Sequence, residues 1–161
     1  MVINQVGSFN HMYVMLSQEG ILPSARGYRR IYILLEGSAK YMLGQKFGIS
    51  QSPCVFGVEE GDIFALIPVD RASILEISLG KDEECEGETI DLRFVEHGAR
   101  HPLVMKKFSE LKKGEGFYII NDHDPLPLYF QMSFAFPKKV GWRYVEVKED
   151  FWKIGIKKLK E

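Results

Sequence analysis

The chain has 161 residues, 45% of them apolar and 12% aromatic, which is enough to pack a core and excludes a disordered segment as the default. The formal net charge of −1 argues against a general nucleic-acid binder or a membrane-surface protein. That balance hides an asymmetry: residues 1–88 hold 7 Lys/Arg against 12 Asp/Glu, net −5, and residues 89–161 hold 14 against 10, net +4.

From His11 to Leu79 short apolar runs alternate with Gly, Pro, Asp and Ser. The runs Met12–Leu16, Ile31–Leu35, Lys40–Leu43, Ile63–Ile67 and Ser73–Leu79 predict strands of an antiparallel sandwich or small barrel, with Glu36-Gly37-Ser38 and Glu59-Glu60-Gly61-Asp62 as the clearest turns. His11, beside the first run, reads as a structural or edge histidine. Arg26, Arg29 and Arg30 make an Arg-rich strand entrance; solvated surface arginines explain it most simply, with small-anion binding as the alternative. Cys54, in a turn-like Ser-Pro-Cys setting, and Cys85 give neither a CxxC pair nor a disulfide framework, and both are expected to be reduced. The acidic neighbours of Cys85 disfavour a thiolate and so a nucleophilic role.

The charged stretch Lys81 to Glu88 predicts a linker between a first domain at 1–80 and a second at 89–161. Beyond it the period changes. A strand over Thr89–Arg93 is followed by Arg100-His101-Pro102 and a helix beginning near Leu103, with Val104, Phe108 and Leu111 on its apolar face. A strand Phe117–Asn121 leads into Asn121-Asp122-His123-Asp124-Pro125, a strand-to-helix turn with Asp124 as cap and Pro125 in the first turn of a helix reaching about Phe136. Strands Val140–Val147 and Phe151–Leu159 close the unit around Lys148-Glu149-Asp150, and Trp142, Tyr144, Phe151 and Trp152 read as core and cross-strand aromatics. The order β-α-β-α-β-β, with a right-handed crossover, predicts a two-layer α/β sandwich with both helices on one face.

Two resemblances follow from these residues. Arg30 to Gly37 (RIYILLEG) followed by Gly61 to Pro68 (GDIFALIP) resembles the cupin superfamily and implies a barrel. Cupin enzymes hold a metal through two His and a Glu ahead of the first turn and a later His, yet no His lies between Gly20 and Glu96, so a metal-free barrel without cofactor is expected. Ile90-Asp91-Leu92-Arg93, Arg100-His101-Pro102, the Lys-Gly-Glu turn at 113–115, Asn121 to Pro125, Pro127 to Gln131, and the Trp142–Tyr144 and Phe151–Trp152 segments resemble the TusA/SirA-like superfamily, in the branch catalogued as domain of unknown function 2249. The parent family carries sulfur on a Cys in a Cys-Pro-x-Pro turn. No Cys follows Cys85 here, and the equivalent stretch reads Glu96 to Pro102 (EHGARHP), so persulfide transfer from that position is excluded.

The two turns are expected at the carboxyl ends of neighbouring strands, where open α/β sheets bind ligands. Arg100, His101, Asn121, Asp122, His123 and Asp124 form the candidate ligand-binding set. Three chemistries fit them: a transition metal held by His101, His123 and Asp122 or Asp124, with His97 further out; an anion held by helix amino termini and Arg100; or acid–base work by a histidine paired with an Asp. A purely structural account, with Asp124 as cap and Asn121 and Asp122 tying the turn, competes with all three. No residue is assigned a catalytic role. The lysines at 106, 107, 112, 113, 138, 139, 157, 158 and 160 read as a solvated coat and not as a nucleic-acid surface. No apolar run approaches the roughly 20 residues that span a bilayer, and no basic-then-apolar leader is seen, so a cytoplasmic protein is expected. The expected function is a ligand-binding or regulatory module for a small molecule or anion, with the barrel as a dimerisation or second sensing unit; a metal-dependent or acid–base enzyme, or an accessory protein in sulfur or metal trafficking, is the alternative.

Overall fold

The computed structural model describes residues 4–9, 12–82 and 84–161, so the reading of His11 lies outside the described residues. The chain divides into two compact units, Met1–Asp82 and Glu83–Glu161. The fold is largely β with two helices.

Among its described residues the first unit contains nine strands: β1 (Asn4–Phe9), β2 (Met12–Ser17), β3 (Ile21–Ala25), β4 (Arg30–Glu36), β5 (Ser38–Leu43), β6 (Lys46–Gln51), β7 (Cys54–Val58), β8 (Ile63–Pro68) and β9 (Ser73–Ser78). One sheet has the order β1-β2-β9-β4-β7 and another contains β3-β8-β5-β6, every pairing antiparallel. Strand alternation explains the core: along β4 the side chains of Arg30, Tyr32 and Leu34 are buried while those between them are partly open. They join Phe56, Phe64, Leu66 and Ile74, with the Tyr32 and Phe64 rings stacked at 4.3 Å. The Glu36-Gly37-Ser38 turn needs its glycine. Gly37 has φ 83°, and a Cβ there would lie 1.8 Å from the Arg71 carbonyl oxygen.

Four strands, β1, β3, β6 and β7, fall where the sequence predicts none. Pro23 interrupts β3, Gly48 interrupts β6 and Gly57 interrupts β7, which masks the apolar alternation at each. Cys54 therefore opens a strand and does not sit in a turn.

The Arg-rich entrance also needs correction. Arg29 is exposed and pairs with Glu59 at 2.7 Å, and Arg26 pairs with Asp82. Arg30, however, is only 1% exposed. Its guanidinium donates to Ser24 Oγ at 2.8 Å, the Ser24 carbonyl at 3.2 Å, Tyr32 Oη at 3.2 Å and the Asp62 carbonyl at 3.1 Å. An inward position on β4 forces the charge into the interior, and neutral acceptors solvate it there.

The second unit contains β10 (Thr89–Asp91), a 3-10 turn at Leu92–Phe94, α1 (His97–Glu110), β11 (Gly116–Asn121), α2 (Leu126–Ala135), β12 (Val140–Lys148) and β13 (Phe151–Lys158). Its strands lie in the order β10-β11-β13-β12, with β10 parallel to β11 and the other neighbours antiparallel. Helix α1 buries Val104 and Phe108, and α2 buries Leu128, Tyr129 and Met132. Phe108 meets Phe136 at 4.9 Å, and Tyr129 stands edge-on to the buried Trp142 at 5.4 Å. No helix among the described residues is long and apolar enough to cross a membrane.

Candidate functional site

Because β10 and β11 are parallel, with Asp91 opposite Ile120, their carboxyl ends open at the same level of the sheet. The Asp91 carboxylate accepts from the Arg93 backbone N–H at 3.1 Å and from its guanidinium at 2.9 and 2.6 Å, which holds its pKa below the usual range and tightens the turn leaving β10. The chain then enters α1 at His97, six residues before the expected start near Leu103. Arg100, His101 and Pro102 thus belong to the helix and not to a loop ahead of it. Proline at 102 reads as a helix start because it lacks an N–H, but an exposed proline over Gly98 is tolerated here. Its consequence is that Pro102 cannot donate to the Gly98 carbonyl, the bond a continuous helix would make. The longer helix also puts His97 and His101 one turn apart on the same face.

Arg100 is the organiser. It is 8% exposed, and its Nε donates to the Val95 carbonyl at 3.1 Å while Nη1 donates to Asn121 Oδ1 at 3.0 Å and Asp122 Oδ1 at 2.9 Å. Nη2 has no hydrogen bond among the described residues. Buried Asn121, the last residue of β11, returns the constraint by donating Nδ2 to the His123 carbonyl at 3.0 Å. Asp122 accepts from His123 Nδ1 at 2.6 Å as well as from Arg100, and these bonds, Arg100 first, push its pKa down to about 2.

Asp124 stands one residue ahead of the cap position of α2, and not at it as expected. Its Oδ1 accepts from the Leu126 N–H at 3.0 Å and from Tyr144 Oη at 2.7 Å, and Pro125 occupies the cap position itself. Burial, and then this bond, raises the Tyr144 pKa above its ordinary value. From α2, Gln131 Oε1 accepts from His101 Nδ1 at 2.8 Å. The His97 and His123 rings lie nearly parallel, 5.8 Å apart.

These elements line an open cavity of about 340 Å³ bordered by Leu92, His97, Gly98, Arg100, His101, Pro102, Asn121, His123, Pro125, Leu128 and Gln131. Four of the six candidate ligand residues, Arg100, His101, Asn121 and His123, reach it. Asp122 and Asp124 do not; they stand behind the wall as anchors. Among the described residues no three His, Cys, Asp or Glu side chains come together as a set able to hold a metal ion, so His101, His123 and Asp122 do not meet at one coordination point. The geometry accounts for this, since Asp122 is engaged by Arg100 and by the Nδ1 of His123, while His101 is turned to Gln131. Sequence reasoning put His97 in a peripheral place and saw Gln131 only as part of a motif. A helix started at Glu96 would have revealed the His97/His101 spacing.

No curated protein matches the chain. Residues 89–158 match the family described as "Uncharacterized conserved protein (DUF2249)". The DUF2249 segment thus carries every residue of the cavity wall, and the resemblance to that family, read in part from the Asn121 to Pro125 turn, holds. Among solved structures the chain is similar to a cupin superfamily protein from Desulfitobacterium hafniense, at 17% identity over 50% of this chain and 77% of that one, with a TM-score of 0.45. It is also similar to a cupin-2 domain containing protein from Shewanella frigidimarina, at 11% identity over 47% and 78%, TM-score 0.42. A third is an uncharacterized conserved protein with a double-stranded beta-helix domain from Klebsiella pneumoniae, at 12% identity over 51% and 79%, TM-score 0.44.

Proposed function

We propose that the DUF2249 segment is a binding module for a small organic anion, recognised through Arg100 and the amino-terminal turn of α1. The observation that carries this reading is the make-up of the cavity wall: one buried arginine, three imidazoles, two side-chain amides and no acidic residue. The helix end adds to it. α1 has Glu96 at its cap position but no side-chain cap bond and no acidic residue in its first turn, so the His97 and Gly98 N–H groups carry no side-chain acceptor. Leu92, Pro102, Pro125 and Leu128 supply apolar wall for a carbon skeleton, and 340 Å³ is at the lower end of the range for small-ligand sites.

The full reading takes the chain as a two-domain, cytoplasmic regulatory protein. A cupin-like barrel at 1–80, joined through 81–88 to a TusA-like sandwich at 89–161, serves as its pairing unit. The test is thermal unfolding of the full chain with phosphate, acetate, succinate or phenylacetate, repeated on Arg100→Gln after its fold is checked by circular dichroism. Stabilisation of the wild type that the variant loses supports the module; equal response of the two proteins, or none from either, removes it.

A second reading is favoured by the 2.6 Å bond between His123 Nδ1 and Asp122. A carboxylate holding Nδ1–H leaves Nε2 as a base, which suits acid–base chemistry on a bound ligand. Turnover-dependent proton release on any anion that binds would distinguish an enzyme from a sensor.

A further inference from the structure

We infer that the cavity of the DUF2249 segment selects organic acids that carry a hydroxyl or amino donor beside the carboxylate, a proposal that rests on the anion-binding reading above. The argument is from which atoms are left bare. Asp122 is ionised with a pKa near 2 and cannot donate, so the proton in its 2.6 Å bond belongs to His123 Nδ1. Gln131 Oε1 is a carbonyl oxygen, so the proton in its 2.8 Å bond belongs to His101 Nδ1. In the neutral form both rings are therefore held in the same tautomer. In each, Nε2 is a lone pair with no partner among the described residues. Both rings line the cavity, and Asp122, which holds one of them from behind, does not.

Donors sit opposite in kind: the Nη2 of Arg100 and the leading amides of α1. A bare carboxylate would satisfy the donors and leave the imidazole nitrogens facing its apolar skeleton. A 2-hydroxy or 2-amino acid satisfies both sets, because its O–H or N–H stands one carbon from the carboxylate. A ligand that brings a donor to these bare nitrogens gains a hydrogen bond that its analogue without the hydroxyl cannot make.

The probes are matched acids differing by one hydroxyl: lactate with propionate, and mandelate with phenylacetate, titrated calorimetrically into the full chain at pH 8. The hydroxy acid of each pair is expected to bind about tenfold tighter, the factor that one added hydrogen bond of ordinary strength supplies. In His101→Leu and in His123→Leu the ratio is expected to fall toward one. Equal binding within each pair in the wild type overturns the selectivity and leaves the anion module standing. A ratio unchanged in both variants also overturns it. Binding of none of the four acids overturns the module and the selectivity together.

Discussion

Asp122 and His123 are sequence neighbours, yet their side chains fold back on one another, with Nδ1 donating to Oδ1 at 2.6 Å while Arg100 holds the same oxygen from the other side. One carboxylate oxygen thus fixes a buried cation and decides which nitrogen of the imidazole is bare. In Asp122→Asn the lock is released. Nitrogen-detected NMR of the His123 ring, predominantly Nδ1–H in the wild type at pH 8, is expected to show a larger Nε2–H population in the variant.

The same carboxylate predicts a pH dependence of stability. Its folded value, about 2, lies below the unfolded value of about 3.9. The stabilisation is therefore fully present above the unfolded value and is lost as pH falls through about 2. Wild type is expected to melt above Asp122→Asn at pH 5 to 6, and the gap between their melting temperatures is expected to narrow steadily from pH 4 to 2. A gap that widens on acidification would contradict the assignment of Arg100 as the main partner.

Two arginines one residue apart should behave differently. Arg30→Ala leaves acceptors on Ser24, Tyr32 and Asp62 unsatisfied in the interior and is expected to cost about 3 kcal/mol in denaturant unfolding. Arg29→Ala removes only an exposed pair with Glu59 and is expected to change stability by less than about 0.5 kcal/mol. Comparable losses in the two variants would show that Arg30 is solvated after all.

Glycines make an equally sharp contrast. Gly37→Ala puts a methyl 1.8 Å from the Arg71 carbonyl oxygen at positive φ, and a loss of more than about 2 kcal/mol is expected. Gly98→Ala lies in α1 with nothing within 4 Å of the new methyl, and a gain of about 0.5 to 1 kcal/mol is expected from helix propensity alone. Equilibrium unfolding of both proteins at pH 7 decides each sign.

Tyr144→Phe deletes the donor to Asp124 at the head of α2. A loss of about 1 kcal/mol is expected, without change in acid binding, since neither residue lines the cavity.

How far the sequence could be read depended on local signals. Short apolar runs such as Ile31–Leu35 and Ser73–Leu79 were legible as strands, whereas β3, β6 and β7 hid behind Pro23, Gly48 and Gly57. Pro102 misdirected the start of α1, because a proline inside a helix carries the same local signal as one at its beginning. Arg30 illustrates a different obstacle. The predicted strand began at Ile31 and so left Arg30 outside it, where arginine is expected to stay in water, whereas β4 begins at Arg30 and turns it inward. At the site, Arg100, His101, Asn121 and His123 could be named from the two turns; that Asp122 turns away from the cavity, and that Gln131 enters it from α2, depended on tertiary contacts no spacing encodes.

The pairing of β11 bears on how this protein can change over evolutionary time. Phe117, Ile119 and Asn121 share its buried side, and Asn121 is the residue that grips Arg100. An extra residue inserted between Gly116 and Ile120 would exchange the two sides of the strand ahead of the turn, trading Asn121's place for a neighbour's and unseating the guanidinium. Substitutions on the open side of β11 are cheap by comparison, so lineages can vary its letters freely but not its count.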